Sequence, residues 1–145
     1  MPQETWETMI GEINTKLSRT MHFPDSALSW EDSAWSCAVI FDDRVMFTSD
    51  TRFDPALIED YDNLMNLEII FHDCQLFTGG VHASLDELSE LPEKLKSKIV
   101  LMHYGDNWHD FEASALEKVS TPGPNRVTAT TSITDSGCFR TANYQ

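Results

Sequence analysis

Four polar residues follow short apolar runs in the middle of the chain, and their side chains are the ones best suited to chemistry. Asp50 follows RVMFTS, His72 and Asp73 follow EIIF, and His103 follows IVLM. Short apolar runs separated by helix-like segments are typical of parallel strands that are buried on both faces. Polar groups at the carboxyl ends of such strands share one edge of the sheet, which is where ligands bind. The pattern therefore predicts that these four side chains converge.

Carboxylates and imidazoles at one sheet edge suit divalent metals such as Zn, Mn or Fe. Taken alone, Asp50 is better explained as a turn cap, and His103 as a hydrogen-bonded residue at a strand end. His72-Asp73 is a stronger signal, because a carboxylate beside a histidine can fix its tautomer. His82 follows a Gly-Gly pair and precedes a helix start, so a structural and a catalytic role are about equally supported. The certain ligands are too few for a two-metal centre.

The elements that position these residues form an α/β pattern. From Arg44 the order is strand, helix, strand, helix, strand, and right-handed crossovers would make the strands parallel. Asp54-Pro55 predicts a helix start, with Asp as the N-cap, and Ser84-x-x-Glu87 is a capping box. Asp42-Asp43 predicts a tight hairpin between the first of these strands and a preceding one.

Both ends of the chain differ from this pattern. Residues 1–20 carry apolar side chains at helical spacing, which predicts an amphipathic N-terminal helix. Residues 21–118 contain the α/β pattern and form the predicted domain. Residues 119–145 are dominated by Ser, Thr, Pro, Gly and Asn, which predicts a poorly ordered tail. His22 and Trp35, in an aperiodic loop, are interpreted as aromatic side chains at the edge of a core.

Composition narrows the function. The 145 residues carry a formal net charge of −14, and the few basic residues are dispersed, so electrostatic repulsion disfavours unaided nucleic-acid binding. Three cysteines without a CxxC pair favour neither a disulfide framework nor a thiolate zinc site. With no apolar run long enough to cross a bilayer and no signal-peptide pattern, we expect a soluble cytoplasmic protein.

The segments TSDTRFDP, IFHDCQ, GGVHAS and LMHYGDNW resemble the C-terminal half of the metallo-β-lactamase-fold hydrolases. The nearest branch is that of ribonuclease Z and related small phosphodiesterases, which include enzymes that degrade cyclic nucleotides. The resemblance covers residues 20 to 118. It implies the C-terminal half of an αββα sandwich, a βαβαβ unit with a mostly buried sheet.

The resemblance also implies roles for particular residues. Asp50 matches an aspartate that bridges two metal ions, Zn or Mn, and His103 matches a histidine ligand of the second ion. His82 resembles a histidine that assists protonation of the leaving group. Asp73 occupies the position of an acid that orients this histidine. A metal-bridging hydroxide is the nucleophile in that family.

The HxHxDH metal motif of that family does not occur in this sequence. The resemblance therefore implies the C-terminal portion of a binuclear metal-dependent phosphodiester hydrolase that is inactive alone. Its substrate would be a small phosphoester or cyclic nucleotide. Its partner would be a complementary N-terminal half-domain or a second copy, since a half-domain leaves one sheet face exposed. The alternative is a non-catalytic α/β binding or assembly module.

Overall fold

The computed structural model describes residues 5–104, which form a mixed α/β fold around a six-stranded sheet. The strands lie side by side in chain order: β1 (Thr5–Ile10), β2 (Ile13–Arg19), β3 (Cys37–Phe41), β4 (Val45–Phe47), β5 (Ile69–Asp73) and β6 (Ile99–Met102). The helices are α1 (Pro55–Met65), α2 (Leu85–Ser89) and α3 (Glu93–Lys96). Strands β1 to β4 pair antiparallel, whereas β4, β5 and β6 pair parallel.

The strand and helix order expected after Arg44 is present, with parallel strands. The expected turn at Asp42-Asp43 is also present, and both residues adopt left-handed backbone conformations, as tight hairpin turns require. Asp54 caps α1 by accepting a hydrogen bond from the Leu57 amide at 3.2 Å, and α2 begins with the expected capping box. The further expectation, that this sheet is half of an αββα sandwich, stays a prediction.

The predicted amphipathic helix in residues 1–20 is wrong. The described part of this segment is a hairpin of β1 and β2, in which Ile10 pairs with Ile13 across a two-residue turn. Gly11 opens the turn with a φ of +64°, a conformation that glycine adopts without steric cost. All six residues of β1 are exposed, so burial imposes no alternation on their sequence. Because β2 pairs with β3, the hairpin belongs to the sheet and the predicted boundary at residue 20 is not a domain boundary.

One face of the sheet forms the core. Ile40, Met46, Ile70 and Ile99 are fully buried there and cluster with residues of the helices, including Ile58 of α1. The core is therefore a helix layer packed on one side of the sheet.

The opposite face carries an apolar row that crosses five strands in register. We call this row the open face; its residues are Leu17, Val39, Phe47, Phe71 and Val100. Within residues 5–104 none of the five is buried, and Phe47 is 40% exposed. The expectation of strands buried on both faces is therefore wrong for the described part of the chain.

A buried carboxylate connects α1 to the elements after it. Asp62, which is 2% exposed, accepts hydrogen bonds from the Lys94 ammonium at 2.7 Å and the Lys98 ammonium at 2.5 Å. Burial opposes ionisation of Asp62, but the two lysines outweigh it and lower the pKa of the carboxyl below its usual value.

Two expectations remain, one about the tail and one about membrane-spanning segments. The tail predicted for residues 119–145 lies outside the described residues. In the described part, no helix is long and apolar enough to cross a membrane.

Candidate metal centre

Asp73, the last residue of β5, lies at the centre of the site and is fully buried. Its backbone amide donates to the Thr48 hydroxyl at 3.0 Å, and its Oδ2 accepts a hydrogen bond from the Thr51 amide at 2.9 Å. Both partners lie just past the end of β4. The parallel pairing of β4 with β5 thus holds the carboxylate at the carboxyl edge of the sheet.

Two imidazoles contact this carboxylate, one at each oxygen. Nδ1 of His82 lies 2.5 Å from Oδ2 of Asp73, and Nδ1 of His103 lies 3.0 Å from Oδ1. The same His103 nitrogen lies 3.3 Å from Oδ1 of Asp50. The rings of His82 and His103 meet edge to face, with centroids 4.9 Å apart. One potential ligand atom from each of these four residues lies within 4.8 Å of the others.

Strained backbone positions Asp50 and His103. Ser49, immediately before Asp50, has a φ of +56°, and His103 itself has a φ of +61°. The Asp50 carbonyl is held by hydroxyl hydrogen bonds from Ser36 at 2.6 Å and Thr20 at 3.3 Å. Left-handed backbone at residues other than glycine costs free energy and is concentrated at functional sites. Both deviations lie where the chain leaves a strand and enters the site.

Backbone hydrogen bonds at Ala83 hold the loop that carries His82 against two other segments, those of Thr51 and Gln75. The Ala83 amide donates to the Thr51 carbonyl at 2.9 Å, and the Gln75 amide donates to the Ala83 carbonyl at 2.7 Å. A side chain at Gly80 would collide with the Gln75 carboxamide, whose Nε2 would lie 2.8 Å from the added Cβ. Glycine at position 80 therefore lets this loop pack against Gln75.

These residues fit a divalent cation. Two carboxylates and two imidazoles are oxygen and nitrogen donors of the kind that Zn and Mn accept. Asp50 and His103 are about half exposed, which gives an ion access, whereas Asp73 is buried behind them.

His22 supplies an independent observation. Its ring lies 5.1 Å from that of His82, and its Nε2 is buried without a hydrogen-bond partner among the described residues. An unsatisfied buried nitrogen is costly, and coordination to an ion would remove that cost. His22 belongs with the site by position, although the sequence interpretation assigned it to the edge of a core. It precedes β3 in an aperiodic loop, where no motif marks it.

The structure separates His72 from the other predicted residues, so its expected convergence is wrong. His72 is 1% exposed, and its Nδ1 lies 2.6 Å from the Asp73 carbonyl oxygen. Burial lowers the pKa of His72, which favours the neutral ring. Successive side chains of a strand point to opposite faces, so two adjacent residues of β5 cannot both face the site.

Cys74, the residue after β5, is also buried. Burial raises the pKa of its thiol to about 12, which fits its predicted role as an apolar core residue.

Comparison with known proteins shows the family. The family model for the Anti-Pycsar protein Apyc1 matches residues 1–120, and the chain belongs to this family. An Anti-Pycsar protein Apyc1 from Bacillus phage BSP38 is 54% identical over 71 residues, which are 48% of this chain and 27% of the relative. One from Paenibacillus harenae is 39% identical over 101 residues, 69% of this chain and 38% of the relative. The chain thus spans roughly a quarter to two fifths of the curated relatives it matches.

This finding corrects the resemblance drawn from the short segments. The chain belongs to the Anti-Pycsar protein Apyc1 family, so the assignment to a ribonuclease Z-like metallo-β-lactamase is wrong. Four short segments are each weakly specific, whereas the family model matches 120 residues of the chain.

Proposed function

We propose that this chain supplies part of a divalent-metal site in a hydrolase that cleaves a small phosphodiester, such as a cyclic nucleotide. The observation that carries the proposal is the cluster of Asp50, Asp73, His82 and His103 at one edge of the sheet. The family adds support, because its members counteract cyclic-nucleotide signalling.

In this proposal Asp50 and His103 are metal ligands, because they are the accessible members of the cluster. The bound ion, Zn or Mn, would neutralise charge on the phosphoryl group and supply activated water. His82 is the acid that protonates the leaving group. Asp73 accepts the hydrogen bond of Nδ1 in both rings, so Nε2 of each is the nitrogen left for coordination or proton transfer.

Charge favours a small substrate. The net charge of −14 repels the many phosphates of a nucleic-acid backbone. A small molecule with a single phosphodiester carries one negative charge there, which one bound cation can offset locally. We therefore favour a cyclic nucleotide over an RNA, and a cytoplasmic location is part of the same proposal.

The site needs further protein ligands beyond the four that residues 5–104 bring together. Two ions require three or four protein ligands each, more than this cluster offers. The open face supports the same conclusion, because an apolar row that crosses five strands suits a second β-sheet packed on it. We propose that such a sheet, corresponding to the part of the relatives that this chain does not match, covers the open face and completes the site.

The second candidate is a non-catalytic α/β binding or assembly module. The open face favours it, since that surface can dock a partner without any metal chemistry. In a module of this kind, the Asp50→Ala and His103→Ala variants retain full function and the protein contains no metal.

Hydrolysis of a cyclic nucleotide in the presence of Mn or Zn tests the two candidates. The chain is assayed alone and after co-expression with the unmatched portion of the Bacillus phage BSP38 relative. We expect no turnover by the chain alone and metal-dependent turnover by the pair, abolished by Asp50→Ala or His103→Ala. The control is Asp60→Asn, which removes an exposed carboxylate of α1 that is not a member of the cluster. Equal turnover by all variants would contradict the proposal.

A further inference from the structure

A cavity of about 320 Å³ opens beside the metal cluster, and apart from His82 it is lined by residues that the proposed reaction does not use. His82 lines this cavity and also contacts Asp73, so the cavity and the cluster share one wall. We propose that the cavity binds the nucleobase of the substrate, an inference that rests on the proposed function because it assigns the phosphate to the neighbouring cluster.

Phe53 gives the cavity an aromatic wall. The side chain is half-buried and packs against the hydrophobic core, so its ring is held in place. Stacking on an aromatic side chain is the common way to bind a base, and it tolerates different bases because each has a π face. Gly79 and Gly80 form another part of the wall, where the absence of side chains lets a planar ligand approach the backbone.

Arg52 supplies hydrogen-bond donors. Its Nη1 donates hydrogen bonds to the backbone carbonyls of Asp25 at 3.1 Å and Ala27 at 3.0 Å. These bonds fix the side chain at the cavity wall. Among residues 5–104, its Nε and Nη2 have no partner. They are charged donors suited to the carbonyl oxygens or ring nitrogens of a base.

Glu87 supplies an acceptor. One of its oxygens, Oε2, accepts from the Ser84 amide at 2.9 Å and the Ser84 hydroxyl at 2.6 Å, in the capping box of α2. The other, Oε1, remains as an acceptor for an N–H group of the base. A π face, acceptors and N–H donors occur together on a nucleobase, and the small volume suits one base.

Nuclear magnetic resonance on the full chain without metal tests this inference, with adenosine, cytidine and uridine as probes. We expect nucleosides to shift the backbone amides of Gly79, Gly80 and His82, with affinities that agree within a few fold. Phe53→Leu keeps an apolar side chain but removes the ring, and it should weaken nucleoside binding about tenfold. Phe77→Leu is the matched control, because Phe77 is 63% exposed and does not line the cavity.

A second variant separates folding from recognition. Glu87→Gln preserves the capping box and removes the charge, so we expect the wild-type fold with weaker nucleoside binding. Unshifted loop amides, or equal affinities for wild type and Phe53→Leu, would overturn the base site while leaving metal binding by the cluster intact. Nucleoside binding by a protein that binds no metal would support the cavity and refute the proposed hydrolase.

Discussion

Asp73 and His82 meet across a 2.5 Å hydrogen bond between Oδ2 and Nδ1, although one ends a buried strand and the other lies in a loop nine residues later. The same oxygen of Asp73 accepts a hydrogen bond from the Thr51 amide, while the other oxygen accepts one from Nδ1 of His103. A single carboxylate therefore orients both imidazoles of the candidate site. This arrangement makes Asp73 the positioning residue of the cluster.

Replacing Asp73 with Asn should disrupt the whole cluster. The amide has one acceptor oxygen, so it cannot accept hydrogen bonds from both rings and the Thr51 amide together. We expect metal affinity to fall roughly 10- to 100-fold, and the free energy of unfolding to fall by about 1–3 kcal/mol. Metal titration and urea unfolding measure the two effects. Asp60→Asn is the control. If Asp73→Asn has the same metal affinity and unfolding free energy as this control, Asp73 does not position the cluster.

The Asp62 carboxylate should make the fold acid-sensitive. Lys94 and Lys98 lower the pKa of Asp62 in the folded state below its unfolded value of about 3.9. The ionised carboxylate therefore stabilises the fold fully at pH values above this unfolded pKa. The contribution should be lost as pH falls through the lower folded-state value. Asp62→Asn should cost about 1–3 kcal/mol of unfolding free energy at pH 7. Urea unfolding at pH 7 and pH 3 measures this, and a cost that does not shrink at the lower pH would refute the ion-pair explanation.

Gly11 should contribute to stability only through the backbone conformation that it adopts in the hairpin turn. Its φ is +64°, and nothing lies within 4 Å of the position a Cβ would occupy, so no collision contributes. Gly11→Ala should reduce the unfolding free energy by about 1–2 kcal/mol, which thermal unfolding can measure. Glu12→Ala changes the other turn residue and serves as the control. Equal stability of the two variants would mean that the hairpin turn differs from the one described.

The open face should control assembly with the complementary polypeptide. Phe47→Glu adds a charge to the centre of the apolar row, at a residue already 40% exposed, so the chain should still fold. We expect it to abolish co-purification with the unmatched portion of the phage relative, because the charge would be buried unpaired. Phe77→Glu adds the same charge at an exposed residue outside the sheet. Co-purification of Phe47→Glu at the wild-type level would exclude the open face as the interface.

Local sequence signals account for much of the fold. The Asp54-Pro55 cap, the capping box at Ser84 and the turn at Asp42-Asp43 are short-range devices, and each occurs where the sequence indicates. The convergence of Asp50 and His103 then follows from parallel strand order. These features depend on contacts that are close in sequence or on a simple topological rule.

Other features depend on tertiary context that the sequence does not display. Strand β1 is an edge strand without a buried face, so its apolar spacing could not distinguish strand from helix. His22 reaches His82 across 60 positions from an aperiodic loop. The direction of His72 is set by the pleat of β5, which turns it toward the core.

Metal binding by the purified chain tests the central claim most directly. Titration with Zn and Mn, together with elemental analysis, is performed on wild type, Asp50→Ala, His103→Ala and the Asp60→Asn control. We predict that wild type and the control bind a divalent ion with equal affinity, and that each cluster variant binds it at least about tenfold more weakly. Equal affinity in all four proteins, or no ion bound by the wild type, would contradict the claim that this sheet edge is a metal site.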